Sequence, residues 1–287
     1  MAALRNSSLE EFLDSLDLPK EEVLSQGRTP SGLGIGVLTK VADALEITLD
    51  DLIDDRIDES WIRNPELAAG FQAEEGSRLR TSLAVLHWIE KNYGREPTKS
   101  LMRSLRIPEK TLSDPSRPVR LRMLCTLLRA VRARGLTDSS IFEMGLGAVN
   151  IRENNEIFSI LSQQKTPQQV CECFFSEIIH KFESNYDYKI EKSGTNSITL
   201  RIEPREARIL ENGQAVAADR TLSVYRWGVT AGLLRAIGRS SASAKPIRLL
   251  DETSKDEMIR LEWNNPAQAA ILISSRRRSN FSSPSAS

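Results

Sequence analysis

The chain has 287 residues, 40% of them hydrophobic, and its 39 basic and 39 acidic side chains give a formal net charge of zero. This length exceeds that of a usual single domain, so we expect two or three compact units. The balanced charge excludes a global field for nucleic acid or membranes. No apolar run approaches the about 18 residues of a membrane-spanning helix, and three scattered cysteines do not make a disulfide framework. We therefore predict a cytoplasmic protein with reduced thiols and no membrane partner.

Residues 1–58 are predicted to form a helical module of the helix-turn-helix kind. Ser8 is a candidate N-cap for LEEFLDSL and Pro19 opens KEEVLSQ, after which GVLTKVADAL and LDDLID follow. The segment 59–76 has weak periodicity and is predicted to be a linker with about one helical turn.

A second helical module is predicted over residues 77–150, with helices in SRLRTSLAVLHWIEKNYG, PTKSLMRSLRI and LRMLCTLLRAVRARG. The two modules share an internal sequence repeat. SLDLP at 15–19 matches SLRIP at 104–108, and VLTKV at 37–41 matches LLRAV at 127–131. The alternative is that short helical units reuse Leu, Pro and Ser at similar offsets.

Residues 151–273 are predicted to form a mixed α/β domain. IFSILSQQ and a predicted helix over residues 166–185, TPQQVCECFFSEIIHKFESN, come first. YDYKIEK and SITLRIE follow, and they alternate around SGTN as a hairpin does. KPIRLLDE and DEMIRLEW alternate in the same way, Asn212-Gly213 suggests a weaker turn, and LSVYRWGVTAGLLRAIG is a helix. The predicted fold class is α+β, with a mainly antiparallel sheet and helices on one face. The Ser-rich tail 274–287 is predicted to be disordered.

GRTP at 27–30, followed by LTKVADALEITLDDLID, resembles the Cro/Xre-type helix-turn-helix over residues 8–54, although the first helix of that family has no counterpart here. The resemblance implies a dimer that contacts two DNA half-sites. The recognition-helix positions PKEE at 19–22 carry two carboxylates, and residues 1–58 hold 5 basic and 13 acidic side chains, a net charge of −8. Because phosphate neutralisation drives DNA binding, a helical scaffold or protein-docking unit is the favoured alternative.

Residues 95–147 have the opposite sign, with 11 basic and 5 acidic side chains and a net charge of +6. This local excess suits phosphate contact. The candidate nucleic-acid-binding residues are Arg103, Arg106, Lys110, Arg117, Arg120 and Arg122. The alternatives are a solvated helix face and pairing with the acidic first module, and we favour the pairing.

SLMRSLRIPEKTLSDPSRPVRLRMLCTLLRAV, KFESNYDYKIE and YRWGVTAGLLRAIGRSSASAKPIRLLDETSKDEMIRLEW resemble the sensor regions of bacterial signalling proteins over residues 99–263. The families are the ligand-sensing half of AraC-type activators and the 4-vinyl-reductase-like or haem-nitric-oxide-binding-like superfamily. The final turn ETSKD lacks the cysteine of many relatives, and Cys171 and Cys173 are predicted on different faces of a helix. Only His87 and His180 are available as histidine ligands. We expect no metal and no cofactor.

No P-loop, Gly-x-Ser-x-Gly elbow or His-Glu-x-x-His motif is present, so we expect no catalytic residue and no enzymatic activity. The predicted function is that of a bacterial-type cytoplasmic transcriptional regulator or signalling protein, with DNA or another signalling protein as partner, and a homodimer. A small, partly apolar ligand is predicted between the sheet and the helix carrying Tyr225, Trp227, Leu233 and Leu234, which are equally expected as plain core. A protein–protein interaction adaptor that has lost DNA binding and an enzyme of unknown type are the alternatives.

Overall fold

The computed structural model describes residues 9–18, 20–21, 23, 33–54, 56, 61, 65–149, 154–205, 210–211, 214–215, 219–236, 242–248 and 256–263. Contacts divide the chain into two compact units, residues 1–69 with 89–114 and residues 70–88 with 115–287. Both units are discontinuous in sequence, a feature that the sequential boundaries predicted at 58, 76, 150 and 273 do not include. The predicted disordered tail 274–287 lies outside the described residues.

The first unit is helical throughout its described part. Its elements are α1 (Leu9–Ser15), α2 (Ile35–Leu45), α3 (Leu49–Ile53), the last residues of α4 (Leu79–Tyr93), α5 (Arg95–Ser104) and a 3-10 turn (Glu109–Ser113). The Thr48 hydroxyl caps α3 by accepting the N–H of Asp51 at 3.0 Å. The predicted recognition helix and the GRTP turn lie almost entirely outside the described residues.

The first part of the internal sequence repeat corresponds to two helices that end in the same way. In the turns at 15–18 and 104–107, the serine hydroxyl donates to the carbonyl three residues earlier, at 2.6 and 2.8 Å. Asp17 and Arg106 then adopt a φ of 50° and 53°, and the N–H of the next residue returns to the carbonyl five residues earlier. The turn at Glu46 has the same form with a φ of 56°. All three turns have an aliphatic residue, a charged residue and a second aliphatic residue in succession. The internal sequence repeat therefore reflects a common type of helix end.

The described part of the second unit contains helices and three small sheets. Its elements are β1 (Gln72–Arg78), the first ten residues of α4, β2 (Pro118–Val119), α6 (Leu121–Ala133), α7 (Asp138–Ala148), α8 (Asn155–Ser162), α9 (Pro167–Cys173), β3 (Tyr186–Ser193), β4 (Ser197–Pro204), β5 (Leu210–Glu211), β6 (Gln214–Ala215), α10 (Arg220–Ala236), β7 (Ala242–Arg248) and β8 (Glu257–Trp263). Every strand pair is antiparallel among the described residues, which confirms the predicted α+β class.

The main sheet has the order β3-β4-β8-β7 and is covered on one face. Ile198, Leu200 and Ile202 are fully buried on the core face of β4. The opposite face carries cross-strand ion pairs, among them Lys189 with Glu203 at 2.6 Å. The alternation that predicted both hairpins therefore corresponds to one apolar and one charged face.

Two predicted segments differ from the structure. The predicted linker 59–76 includes most of β1, whose polar residues form a strand because they pair with β2 rather than because they alternate. The stretch 166–185, predicted as one helix, divides into α9, a π-helical turn (Phe174–Ile178) and a 3-10 turn (Ile179–Lys181). The rings of Phe174 and Phe175 meet edge to face, with their centroids 5.1 Å apart.

Helices α7 and α10 cross at glycines. A Cβ on Gly145 would clash with the Tyr225 carbonyl oxygen, and a Cβ on Gly228 would clash with the Phe142 carbonyl oxygen. The close approach therefore requires glycine on both helices. This crossing fixes the position of α10, which carries part of the cavity described below.

Within the part of the chain that the structure describes, no helix combines the length and the apolar character needed to span a bilayer.

Candidate functional site

An apolar cavity of about 90 Å³ lies inside the second unit. Its walls are α4, the end of α7, α8, α10 and the segment 174–183. Most of the lining side chains are aliphatic or aromatic, including Ile157, Phe158, Leu161, Phe174, Val229 and Leu233. The polar lining residues are Arg80, Thr81, Asn154, Glu183 and Tyr225. A mostly apolar cavity with a few polar groups at defined places is the usual form of a small-molecule site.

Helical periodicity brings the apolar wall together. Tyr225, Val229 and Leu233 follow each other at intervals of four residues, so they form one stripe of α10. Ile157 and Leu161 repeat this spacing on α8. The cavity therefore lies between two helix stripes that face it from separate parts of the chain.

Asn154 stands where α7 and α8 are joined. It precedes α8 at the N-cap position, but its side chain does not cap that helix. Its Nδ2 donates instead to the carbonyl oxygen of Ala148, the last residue of α7, at 2.7 Å. The side chain thus satisfies one of the carbonyls that a helix end leaves without an intrahelical partner.

Glu183 is a buried carboxylate at the edge of the cavity, with 7% of its surface exposed. It accepts a hydrogen bond from the Ser77 hydroxyl at 2.6 Å, and it accepts others from the backbone and side-chain nitrogens of Asn185 at 2.7 and 2.6 Å. The Arg80 guanidinium stacks over the Phe182 ring, 4.5 Å from its centroid. The two charges of the cavity wall are therefore opposite in sign, and each is held by neighbouring side chains.

Tyr225 is also held in place. Its hydroxyl donates to the carbonyl oxygen of Thr81 at 3.0 Å, and burial raises the pKa of the Tyr225 phenol. The phenol therefore stays neutral and links α10 to α4.

A second polar cluster lies on another side of α10. Glu257 occupies a core-facing position of β8 and is fully buried; it accepts hydrogen bonds from the Trp227 indole at 2.5 Å and the Ser223 hydroxyl at 3.1 Å. The Arg226 guanidinium approaches the same carboxylate at 3.2 Å and stacks over the Tyr186 ring. Burial alone lowers the pKa of Arg226, but Glu257 and other nearby acidic groups outweigh it, so the pKa is raised. Arg226 therefore keeps its positive charge in the core.

Two of the four residues named for the predicted ligand position line the cavity, and the ligand itself stays a prediction. Tyr225 and Leu233 line the cavity, whereas Trp227 bonds to Glu257 and Leu234 belongs to the core against the sheet. The cavity lies among helices rather than between α10 and the sheet, because the buried ion pair and apolar core fill the space on the sheet side.

The six predicted basic residues fall in both units. Arg103, Arg106 and Lys110 belong to the first unit, while the second holds Arg117, Arg120 and Arg122. Arg103 is 15% exposed and pairs with Asp43 at 2.5 Å, as expected if the basic residues pair with the acidic module. Arg120 donates from Nε to the Gln72 carbonyl at 2.8 Å. The proposed nucleic-acid contacts stay a prediction.

The sequence did not indicate Asn154 or Glu183 as residues of a site. Glu183 had a weak signal, since it is a carboxylate directly after Phe182, which packs against the core. Asn154 had none, because its partner and its position beside the cavity depend on how α7 and α8 pack. Its role is visible only in three dimensions.

No group of three or more His, Cys, Asp and Glu side chains that could hold a metal ion occurs in the described ranges. The thiols of Cys125 and Cys171 are buried, and burial raises the pKa of each to about 12. These thiols are therefore protonated at neutral pH, which disfavours metal ligation.

The residues of the cavity do not fit a haem, the cofactor that the haem-nitric-oxide-binding resemblance raises. Haem iron is held by His, Cys, Met or Tyr, and the cavity lining contains only the last of these. Both histidines of the chain, His87 and His180, are exposed. Tyr225 is a neutral phenol that already donates to a backbone carbonyl.

Comparison with solved structures finds H-NOX proteins. A triple mutant of an H-NOX protein from S. oneidensis in the Fe(II) ligation state matches with a TM-score of 0.50 and 11% identity, over 66% of this chain and 96% of its own. A mutant of the Fe(II) unliganded H-NOX protein from K. algicida matches with a TM-score of 0.49 and 13% identity, over 67% of this chain and 99% of its own. No protein-family model and no curated protein matches the sequence. At these identities the likeness shows the fold alone: about two-thirds of the chain has a fold like that of H-NOX domains.

Proposed function

We propose that this protein is a non-catalytic sensor, and that its second unit binds a small neutral molecule directly in the cavity between α8 and α10. The observation that carries the proposal is the cavity itself, which is mostly apolar and has opposite charges at its polar edge. The similar structures include an oxygen-binding H-NOX domain in complex with oxygen and an H-NOX protein in the Fe(II)NO state. A small-ligand sensor is consistent with that fold, although no residue here suits a haem.

The volume limits the ligand to a few non-hydrogen atoms. An apolar cavity of about 150 Å³ holds one benzene molecule, and one water needs roughly 10–15 Å³. A cavity of about 90 Å³ lies between these sizes. We therefore expect a ligand no larger than a five-membered ring.

The absence of catalysis is part of the proposal. Arg80 and Glu183 are the strongly ionisable groups in the lining, and the Glu183 carboxylate already accepts three hydrogen bonds from Ser77 and Asn185. These protein groups hold the carboxylate in place, which gives it a structural role at the edge of the cavity. The site is suited to binding rather than to proton transfer.

Furan is a suitable probe, since it has five non-hydrogen atoms and no hydrogen-bond donor. We expect calorimetric titration to detect furan binding to the full chain, and Val229→Phe to abolish it by filling the cavity. The matched control is Ile160→Phe, because Ile160 lies on α8 but outside the lining and is 37% exposed. Leu161→Phe fills the cavity from the other wall and replaces the first variant if that one does not fold. Binding that persists in both filled variants, or no binding to the native chain, would refute the proposal.

A regulatory output at DNA, in a cytoplasmic homodimer, is the second part of the proposal. Arg106 and Lys110 support it because both are exposed in the first unit. We expect gel shifts with DNA fragments to weaken steeply between about 50 and about 200 mM salt, and Arg106→Glu with Lys110→Glu to reduce the binding. Failure to bind at low salt would leave an interaction with another signalling protein as the output.

A further inference from the structure

The side chain of Asn154 has a hydrogen-bonding group that the described part of the chain does not use. Nδ2 donates to the Ala148 carbonyl oxygen at 2.7 Å, and that oxygen only accepts. This bond fixes the amide orientation, so the other terminal atom is the acceptor Oδ1. Oδ1 is buried, and no donor among the described residues reaches it.

A buried acceptor without a donor is costly, by about 1–3 kcal/mol, and such groups are rare in folded proteins. Asn154 lines the cavity, so a molecule bound there can supply the missing donor. Among the other polar lining groups, Tyr225 donates to Thr81, and Glu183 accepts from Ser77 and Asn185. Nε of Arg80 is buried and lacks an acceptor among the described residues, but it is a donor, and the guanidinium stacks over Phe182. Asn154 is therefore the lining residue with an unused acceptor.

The charge of the wall indicates a neutral ligand. One cation, Arg80, and one carboxylate, Glu183, belong to the lining, and each is in contact with protein groups. A charged ligand of either sign would be buried beside one like charge and would lose its hydration, which is unfavourable without a dedicated partner.

We propose that the cavity selects neutral molecules carrying one hydroxyl or N–H donor, and that Oδ1 of Asn154 accepts the hydrogen bond from this donor. This inference rests on the proposed sensor function and defines the chemical class of its ligand. Sites built around one polar group discriminate strongly against analogues without the matching group, because that group is then left unpaired.

Pyrrole and furan make a matched test. Both are neutral five-membered rings of nearly equal size, but only pyrrole carries an N–H donor. We expect Asn154→Leu to lower the ratio of pyrrole affinity to furan affinity by about tenfold, measured by calorimetric titration of the full chain. Loss of the bond from Asn154 to the Ala148 carbonyl affects both ligands alike and cancels in the ratio. Asn155→Leu is the control, since Asn155 is exposed and outside the lining, and it should leave the ratio within about twofold of the native value.

The outcomes separate this inference from the function on which it rests. A tenfold fall in the ratio in Asn154→Leu alone supports it. If both rings bind and the ratio is the same in native and Asn154→Leu proteins, the donor selectivity is refuted and the sensor function stands. If neither ring binds the native chain, both proposals are refuted.

Discussion

Helix α10 contains two regions that pack in different ways. Arg226 is buried and contacts the fully buried Glu257 carboxylate of β8. About one to two turns further along, Val229 and Leu233 line a cavity of about 90 Å³. Gly228 lets α7 approach so closely that no side chain fits between the two helices. The helix is thus held by an ion pair and by a close helix crossing, and it still borders an unfilled space.

This contrast explains how an unfilled cavity survives in a packed core. Protein interiors are close-packed, and an apolar void costs free energy in proportion to its volume. Here the ion pair and the glycine crossing fix α10, so it cannot shift to close the gap.

Among the variants considered, Glu257→Leu should cause the largest loss of stability. It leaves the Arg226 guanidinium buried without its carboxylate, and breaking a buried pair in this way costs about 3–5 kcal/mol. Urea unfolding measures the change in the free energy of unfolding. The double variant Arg226→Met with Glu257→Leu should recover most of the loss, since no charge then stays buried.

Glu262→Leu is the control for that prediction. Glu262 lies on the same strand but on the charged face of the sheet, where it pairs with Lys245 at 2.7 Å. Exposed ion pairs contribute little to stability because water and salt screen them, so the variant should be nearly neutral. Equal losses for the two glutamates would contradict a buried ionic anchor.

Gly145→Ala should lower the free energy of unfolding by about 2–3 kcal/mol. The new methyl group would clash with the Tyr225 carbonyl oxygen and with the Cα of Gly228, which would lie 2.9 Å away. Gly147→Ala, two residues further along α7, meets only Trp88 Cδ1 at 4.0 Å. It should be neutral or stabilising by up to about 1 kcal/mol, from helix propensity alone. Thermal unfolding of both variants checks the pair; similar effects at the two positions would argue against a tight crossing.

The smallest expected effect is a pH dependence at the surface. A hydrogen bond from Arg205 holds the pKa of Asp187 below its ordinary value, and Arg205 Nε lies 2.9 Å from the carboxylate. Because the folded-state pKa is depressed, the contribution is fully present above about pH 4 and is lost as the pH falls through the folded value. Asp187→Asn should lower the free energy of unfolding by less than about 1 kcal/mol at pH 7, and by progressively less as the pH falls below about 4, measured by urea unfolding. If the stability difference between the native protein and Asp187→Asn grows on acidification, the depressed pKa of Asp187 is contradicted.

The hairpins were predictable because their evidence is local. Alternation in SITLRIE and DEMIRLEW places Ile198, Leu200, Ile259 and Leu261 on one face, and the structure buries all four. The same alternation places Glu257 on that face, which was a signal for a buried carboxylate. Strand β1 had no such pattern, since its conformation depends on pairing with the distant β2.

The cavity was only partly predictable, because its walls come from segments between Arg80 and Leu233. Periodicity identified Tyr225 and Leu233 as inward residues of a helix, but it does not say which neighbour they meet. The unused acceptor on Asn154 arises from the packing of α7 against α8, which no local pattern encodes.

Xenon is the most direct test of the central claim, which is that the space beside α10 receives a small apolar molecule. Crystals of the protein under xenon pressure should show one strong peak in contact with Ile157, Leu161 and Leu233, and the peak should be absent in Val229→Phe. No xenon among these residues in the native protein, or an unchanged peak in the filled variant, would contradict the account.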